Sequence, residues 1–449
     1  MSDIKEVELG VHDYTAAEEW VRPKEQAVLD KLEWFRDQKF ALMMHFGIYS
    51  QVGTMESWPL VDGEKEWSRV DIDWVEDGSE FRKQYFSLNR SFNPIRLEAD
   101  KWAAMAKKCG FKYLILTTKH HDGFCLWDTK QTDYKVTAPE CPYSTSPKAD
   151  IIRDVYEAFR KEGLGITTYF SKPDWHSEYF WEPESVDGET TKYPSYDLKE
   201  KPELWDKFVD YTHKQLLELV CEYGPIDTLW LDGGWIDKRR GYDIRLGELV
   251  KKARETNPGL IVVDRTIGGE YENYITPENT IPEEPLDVPW EACLPVTDTF
   301  SYRFDDKTCK TAKEILLTLI GIVAKGGNLA LNVAPQPDGR LPESAMAEIA
   351  QVGEWLERCG EAIYGTRICS PYQAEDLAFT QNKDAVYAMT LADVVPEKLY
   401  IPCEIEVKDV VLLNKKCELP YQVVDGGVEV DLAGISCSDY SLAFRLRKA

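Results

Sequence analysis

The alternation of two residue patterns between about residues 38 and 365 constrains the fold most strongly. Short runs of β-branched, aromatic and aliphatic residues alternate there with longer stretches whose apolar residues recur at helical spacing. This alternation predicts repeated strand-helix units whose strands lie parallel in one sheet. The predicted strands are FALMMHFGIYS near residues 39–49, KYLILTTK, GITTYFSK, DTLWLDG, LIVVDRT and NLALNVAP.

The helical stretches between these strands indicate how the sheet closes. They include LEADKWAAMAKKCG, KADIIRDVYEAFRKEGLG and PELWDKFVDYTHKQLLELVCEYG, and each ends in a glycine suited to a helix C-cap. Six or more such units favour a (β/α) barrel over an open doubly wound sheet, which is the alternative, and no GxGxxG follows the first strand. We therefore expect a TIM-like (β/α) barrel over residues 1–365, including an N-terminal lead segment.

The pattern changes after Tyr364. The segments DLAFTQNKDAVYAMTL, EKLYIPCEIEVKDVVLL, YQVVDGGVEVDLAG and YSLAFRLRKA contain short runs of strand-forming residues separated by turn residues. Helical spacing is nearly absent from them. This part of the sequence predicts a C-terminal antiparallel β-sandwich domain over residues 366–449.

Charge and composition exclude several classes of partner. A formal net charge of −26, without clustered Lys and Arg, repels phosphate backbones and argues against nucleic acid. The chain lacks an apolar run long enough to span a membrane, and nothing in it specifies an oligomeric state. The N-terminus MSDIKEVELGVHDY is acidic where an export signal is basic, and the eleven cysteines form no CxxC pair. We therefore expect reduced thiols in a cytoplasm, as in an intracellular bacterial protein.

Polar side chains collect at the C-terminal ends of the predicted strands, where barrel enzymes carry their reactive groups. These strand ends supply His45, His120, His121, Tyr169, Trp230, Asp232, Arg265 and Asn332. Two of the six histidines are adjacent, and neighbouring strand residues face opposite sides of a sheet. At most one of that pair is therefore expected in the core.

Asp232 is the strongest candidate for chemistry. It ends the apolar run TLWLD and precedes two glycines, where an aspartate either caps the next helix or reacts. A helix cap tolerates Ser or Asn equally and does not need the flanking Trp230 and Trp235. The pattern therefore favours a functional carboxylate.

A second carboxylate would complete the pair that glycoside hydrolysis uses, in which one group attacks and the other donates a proton. The candidates after Arg265 are Glu270, Glu272, Glu278, Glu283, Glu284 and Glu291. Glu278 in ITPEN and Glu291 in PWEAC have the better claim because a nearby proline rigidifies each. The tryptophan beside Glu291 can also raise its pKa toward that of a working acid.

A metal site is the alternative use of the same strand ends. Zinc is bound by mixed histidine and aspartate sets in metal-dependent barrel hydrolases. The available ligands are His45, His120, His121, Asp122 and Asp232. Such sites usually open with an HxH pair on the first strand, which MMHFG lacks.

Five motifs in order closely resemble the α-L-fucosidases of glycoside hydrolase family 29. They are KFALMMHFGIYS, KYLILTTKHHDGFCLWDTKQTDYKV, TLWLDGGW, DR…TPE and KGGNLALNVAPQPDGRLP, spanning about residues 30 to 365. The resemblance implies a retaining, exo-acting hydrolase that removes terminal α-L-fucose from oligosaccharides or glycoconjugates without a metal or cofactor. A non-catalytic fucose-binding protein is the remaining alternative.

The resemblance also implies roles for individual residues. Asp232 matches the nucleophile, and Glu278 matches the acid/base, with Glu291 as the alternative. The family's pocket Glu-Trp pair matches Glu56 and Trp58 or, alternatively, Glu66 and Trp67; we favour the first pair. The matches to sugar-binding residues are His45, His120, His121, Tyr169, Trp230 and Arg265. The candidates for the apolar wall against the C6 methyl group of fucose are Trp58, Trp127 and Trp230.

Overall fold

The computed structural model describes residues 14–70, 72–305, 308–392, 396–435 and 439–449. The first thirteen residues, on which the expectation of a missing export signal depends, lie outside these ranges. Within the described ranges, none of the helices combines the length and apolarity needed to cross a membrane.

A curled parallel sheet forms the larger part of the molecule. Its strands are β1 (Phe40–Met44), β2 (Tyr113–Lys119), β3 (Gly165–Ser171), β4 (Thr228–Asp232), β5 (Ile261–Asp264), β6 (Glu291–Pro295) and β7 (Asn328–Asn332). They are ordered β5-β4-β3-β2-β1-β7-β6, and every pair is parallel. The predicted barrel class is confirmed, and β6 is a strand that the sequence patterns did not predict.

The seam of the barrel lies between the edge strands β5 and β6. Irregular chain fills it, because Glu272 bridges to Val263 of β5 and Glu278 bridges to Cys293 of β6. Among the described residues the parallel sheet therefore has seven strands, with a loop segment in the position of an eighth.

The helices precede, connect or follow these strands along the chain. They are α1 (Gln26–Gln38), α2 (Lys65–Ser68), α3 (Gly78–Phe86), α4 (Ala99–Lys108), α5 (Ile151–Lys161), α6 (Pro202–Glu222), α7 (Leu246–Thr256), α8 (Ala312–Ala324) and α9 (Glu343–Cys359). In α5 the spacing of Ile152, Val155 and Phe159 puts all three on one buried face. Asp150 caps its N-terminus by accepting from the backbone N–H of Arg153 at 3.1 Å.

Alternation along each strand decides which side chains enter the barrel. In β1, Leu42 packs outward with the helices, whereas Ala41 and Met43 lie in the interior cluster. In β4, Leu229 and Leu231 face outward and Trp230 faces inward. The polar residues at the strand ends continue these inward-facing rows.

The remaining strands form two antiparallel sheets that share a core. They are β8 (Arg367–Ala374), β9 (Leu377–Gln381), β10 (Ala385–Thr390), β11 (Lys398–Pro402), β12 (Val407–Leu412), β13 (Cys417–Glu418), β14 (Tyr421–Val424), β15 (Gly427–Asp431) and β16 (Ala443–Lys448). One sheet has the order β13-β12-β16-β10-β9-β8 and the other β11-β15-β14. The predicted antiparallel sandwich is confirmed, and a domain boundary at residues 365 and 366 stays a prediction.

Candidate active site

Asp232 ends β4 and follows the inward-facing Trp230 by two residues. Its two carboxylate oxygens have different partners. The hydroxyl of Tyr169 donates to Oδ2 at 2.7 Å, and Nη1 of Arg265 donates to Oδ1 at 2.9 Å. Tyr169 pairs in register with Trp230, so the parallel alignment of β3 and β4 sets this contact.

The electrostatic surroundings keep Asp232 ionised. Burial alone would raise the pKa of its carboxyl, but the Arg265 guanidinium, the neighbouring His121 and the Tyr169 hydroxyl together hold that pKa well below its usual value. A buried carboxylate of this kind stays ionised through the neutral range and is available as a nucleophile.

Arg265 joins Asp232 to a second carboxylate. It follows β5, and its Nη2 donates to Oε2 of Glu278, which the seam segment brings alongside. The guanidinium also lies over the Trp230 ring, 4.8 Å from its centroid. Two carboxylates from separate parts of the chain thus contact neighbouring nitrogens of one cation.

The histidines predicted at the strand ends lie around this pair. His45 follows β1, and Asn332 Oδ1 lies 2.8 Å from its Nδ1 and 3.1 Å from its backbone nitrogen. The amide oxygen of Asn332 accepts only, so Nδ1 carries the proton and Nε2 the lone pair. Burial lowers the pKa of His45, which therefore stays neutral.

The paired histidines do not divide between core and site, because both are buried and both lie at the site. His120 and His121 are 4% and 0% exposed. Strand β2 ends at Lys119 after a register shift, so the alternation rule does not extend to the pair. Both rings reach the site, His120 with Nδ1 2.5 Å from Ser57 Oγ, and His121 with Nε2 3.5 Å from Asp232 Oδ2.

A buried polar network holds the loop that carries these histidines. Lys119 and Asp174 form an ion pair at 2.8 Å, with side chains 0% and 1% exposed. The backbone N–H of Trp175, next to Asp174, donates to the His121 carbonyl at 2.7 Å. The Trp175 ring then packs 5.0 Å from the His121 ring.

Aromatic rings wall one side of the site. The Trp58 ring lies 5.3 Å from His121 and 5.4 Å from Trp235. Trp67 packs against Trp58 at 5.6 Å, while Glu66 is exposed. The Glu-Trp pair in the site is therefore Glu56 with Trp58.

Glu56 is a buried carboxyl at the edge of this wall. It is 8% exposed, and its Oε1 has no hydrogen-bond partner among the described residues. Burial raises its pKa to about 7, and the nearby charge of Glu278 adds to the increase. Its φ of 40° lies in the left-handed region that glutamate rarely adopts.

The structure does not bring Trp127 to the site. Its side chain is fully buried between the sheet and α6, and its Nε1 donates to Glu218 Oε2 at 3.2 Å. Of the three candidates for the C6 wall, only Trp58 and Trp230 lie at the site, beside His121 and Arg265.

Glu291 is the first residue of β6 and lies at the N-terminal end of the barrel. Its Oε2 accepts from Tyr113 at 2.5 Å and its Oε1 from Tyr274 at 3.1 Å. Tyr113 and Asn328 are likewise the first residues of their strands. With 1% exposure and both oxygens bonded to tyrosines, Glu291 is not placed to reach a glycosidic oxygen.

Glu291→Gln is expected to stabilise the protein at alkaline but not at acidic pH. Burial raises the pKa of Glu291 from 4.5 to about 7. The protonated form therefore contributes stability below pH 4.5 that is lost as the pH rises through 7. Glutamine stays neutral. The free energy of unfolding of the variant, measured relative to wild type, should therefore rise by about 2 to 3 kcal/mol from pH 5 to pH 8. Urea unfolding of both proteins at pH 5 and pH 8 measures this rise. The same difference in unfolding free energy at the two pH values would contradict the raised pKa of Glu291.

Several residues of the site were not among the sequence candidates. Ser57, Trp175 and Phe300 contact the histidines, with the Phe300 ring 5.2 Å from His45. Trp235 was noted only as a neighbour of Asp232. All four lie on loops, where no periodic signal marks an inward-facing side chain.

Metal coordination is the alternative use of this cluster. Ligand atoms of His120, His121 and Asp232 lie within 4.8 Å of one another. Both oxygens of Asp232, however, already accept hydrogen bonds, one from a guanidinium whose positive charge opposes a second cation. The groups around Asp232 therefore suit a carboxylate held by hydrogen bonds better than a carboxylate that binds a metal.

Comparisons with known proteins find α-L-fucosidases by sequence and by fold. The family model described as alpha-L-fucosidase matches residues 11–361. An alpha-L-fucosidase of Dictyostelium discoideum is 28% identical over 374 residues, covering 77% of this chain and 73% of the relative. The solved structure of alpha-L-fucosidase isoenzyme 1 from Paenibacillus thiaminolyticus is 28% identical with a TM-score of 0.79, covering 94% of this chain and 100% of that one. The solved structure of Thermotoga maritima alpha-fucosidase in complex with a mechanism based inhibitor is 27% identical with a TM-score of 0.73. The match covers 94% of this chain and 100% of that one.

The matched length and the shared fold show that the chain belongs to the alpha-L-fucosidase family of glycoside hydrolases.

Proposed function

We propose that this protein is a retaining, exo-acting α-L-fucosidase that releases terminal α-L-fucose from oligosaccharides or glycoconjugates. The observation that carries the proposal is the ionised Asp232, held by Tyr169 and Arg265, with Glu278 on the same guanidinium. Retaining glycosidases need two carboxyl groups about 5 to 5.5 Å apart. Carboxylates on adjacent nitrogens of one guanidinium are compatible with that short separation.

In the first step Asp232 attacks the anomeric carbon and the bond to the leaving oxygen breaks. Glu278 gives its proton to that oxygen, which leaves as an alcohol, and fucose remains as an ester of Asp232. In the second step Glu278 removes a proton from water, whose oxygen attacks the same carbon. Asp232 departs as a carboxylate and free fucose forms with its original α configuration.

The surrounding side chains would bind the sugar. The rings of His45, His120 and His121 lie together around the nucleophile and suit hydroxyl recognition. Trp58 and Trp230 offer apolar faces for the C6 methyl group. This contact should favour transition-state binding of fucose over galactose by roughly 1 to 3 kcal/mol. Glu56 lies near Glu278, and one of its oxygens has no partner among the residues that the structure describes, so it is placed to accept from a further hydroxyl.

Solvolysis with methanol tests the reaction and its stereochemistry together. The enzyme is incubated with 4-nitrophenyl α-L-fucoside in dilute methanol, and early products are examined by proton NMR. Methyl α-L-fucoside is expected. The β anomer would overturn the retaining mechanism, and binding of fucose without turnover would favour a non-catalytic fucose-binding protein.

Turnover is expected to resist metal chelation. Activity on 4-nitrophenyl α-L-fucoside should stay within about 20% of the untreated rate after dialysis against EDTA, because the mechanism uses carboxylates and the Asp232 oxygens are already bonded. Added Zn²⁺ supplies the complementary measurement. Loss of activity with EDTA and recovery with Zn²⁺ would support the metal-dependent alternative.

We also propose a cytoplasmic location and fucosylated oligosaccharides as substrates. Ten cysteines in the described part of the chain are free thiols, and Cys221 among them is exposed, as expected for a reducing compartment. Fractionation of the source cells would test the location.

A further inference from the structure

The loop between β6 and α8 leads from the pocket to the rim. At its inner end, the Phe300 ring lies 5.2 Å from His45, and the Phe300 carbonyl accepts from Asn332 Nδ2 at 2.7 Å. Phe304, four residues later, is 64% exposed. Four residues span at most about 14 Å of extended chain, so the Phe304 ring lies close to the pocket entrance.

The same loop is fixed to the segment that carries Glu56. Ser301 Oγ donates to the Thr54 carbonyl at 2.6 Å, and the Glu56 backbone N–H donates to Ser301 Oγ at 3.2 Å. The Glu56 carboxyl is in turn close enough to Glu278 for the two charges to interact. The loop therefore borders the pocket on the side of the proposed acid/base.

The leaving group must lie on that side. A general acid has to reach the atom it protonates within hydrogen-bond distance, so the glycosidic oxygen lies at Glu278 when fucose is bound. The sugar attached to that oxygen extends outward past Glu56 and toward the loop that carries Phe304.

Phe304 packs against Tyr302 and Gly53 and is otherwise largely exposed. The Tyr302 ring meets it edge-on at 5.5 Å and 84°. Gly53, at φ +66°, lets the ring pack so closely that a Cβ added there would lie 2.7 Å from Cδ2 of Phe304. The neighbouring residues Arg303, which is buried, and Asp305, which is exposed, pair with each other at 3.0 Å.

We propose that Phe304, with Tyr302 and Gly53, forms a binding subsite for the pyranose ring that carries the leaving oxygen. A rigid aromatic ring that is 64% exposed suits the apolar C–H face of a pyranose, and the exposed carboxylate of Asp305 suits its hydroxyls. The inference rests on the proposed function, which it extends from fucose to its acceptor. The contact forms in both ground state and transition state, so it acts mainly on KM.

Phe304→Ala tests the subsite with two substrates. On the best-cleaved member of a panel of α-L-fucosyl disaccharides, kcat/KM should fall about tenfold, mostly through KM. On α-L-fucosyl fluoride, whose leaving group has no ring, it should stay within about twofold. Phe304→Tyr should retain wild-type kinetics on both.

Tyr400→Ala is the matched control, since Tyr400 is 45% exposed on β11 of the C-terminal sheets. It should leave both substrates unchanged. Equal losses of the Phe304→Ala variant on disaccharide and fluoride, or no loss on either, would overturn the subsite. Failure of the wild-type enzyme on α-L-fucosyl fluoride would instead overturn the proposed function.

Discussion

Asp232→Asn is expected to lower kcat on 4-nitrophenyl α-L-fucoside by at least three orders of magnitude, about 4 kcal/mol of transition-state stabilisation. Asparagine keeps the size of the side chain and can still accept from Tyr169. It lacks the negative charge that attacks the anomeric carbon. Initial rates and thermal unfolding are measured together, and an intact fold that keeps more than a tenth of the wild-type rate would contradict the assignment.

Chemical rescue of Asp232→Gly identifies the face that Asp232 occupies. Azide that enters the vacated space attacks from the nucleophile's side and should give β-L-fucosyl azide, the inverted product. NMR of the isolated azide distinguishes the two anomers. The α anomer would place the nucleophile elsewhere.

Glu278→Ala is expected to have the second largest effect, with a loss that depends on the leaving group. Disaccharides, whose leaving oxygen needs a proton, should lose about 10² to 10⁴ in kcat/KM. α-L-Fucosyl fluoride depends less on protonation and should lose far less. Azide should restore turnover and yield α-L-fucosyl azide, because Asp232 is still present to form the intermediate.

Glu291→Gln is the matched control for Glu278, since it removes the other glutamate with a claim to the role. Its carboxyl bonds Tyr113 and Tyr274 at the N-terminal end of the barrel. Turnover at neutral pH should stay within about twofold of wild type. If Glu291→Gln is instead inactive and rescued by azide, the acid/base assignment passes to Glu291.

Much of the fold follows from the sequence because strands buried on both faces are nearly continuous apolar runs. The run YLILTTK predicted β2, and TLWLD predicted β4 with its terminal aspartate. Strand β6, with the sequence EACLP, was not predicted because a glutamate begins it and a proline ends it. The tyrosines that bond Glu291 come from elsewhere in the chain, so no local pattern marks that position as a strand.

The site could be predicted where side chains follow regular strands. His45, Tyr169 and Asp232 lie at strand ends, and their inward direction follows from alternation. Trp127 shows the limit, since an aromatic residue beyond a strand end can pack outward against a helix. Ser57 and Phe300 reach their histidines from loops far away along the chain, which periodicity does not record.

The loop-filled seam divides the proposed catalytic pair between two kinds of support. Asp232 is fixed by strand register, and any insertion nearby would shift its neighbours Tyr169 and Trp230 as well. Glu278 lies in irregular chain, which contacts β6 through the bridge between Glu278 and Cys293. Lengthening or exchanging the irregular chain before Glu278 would therefore change the position of the proposed acid/base relative to the leaving group. The position of Asp232 would not change. An engineer who wants new acceptors on this scaffold can graft loops here and leave Asp232 and its strand neighbours in place.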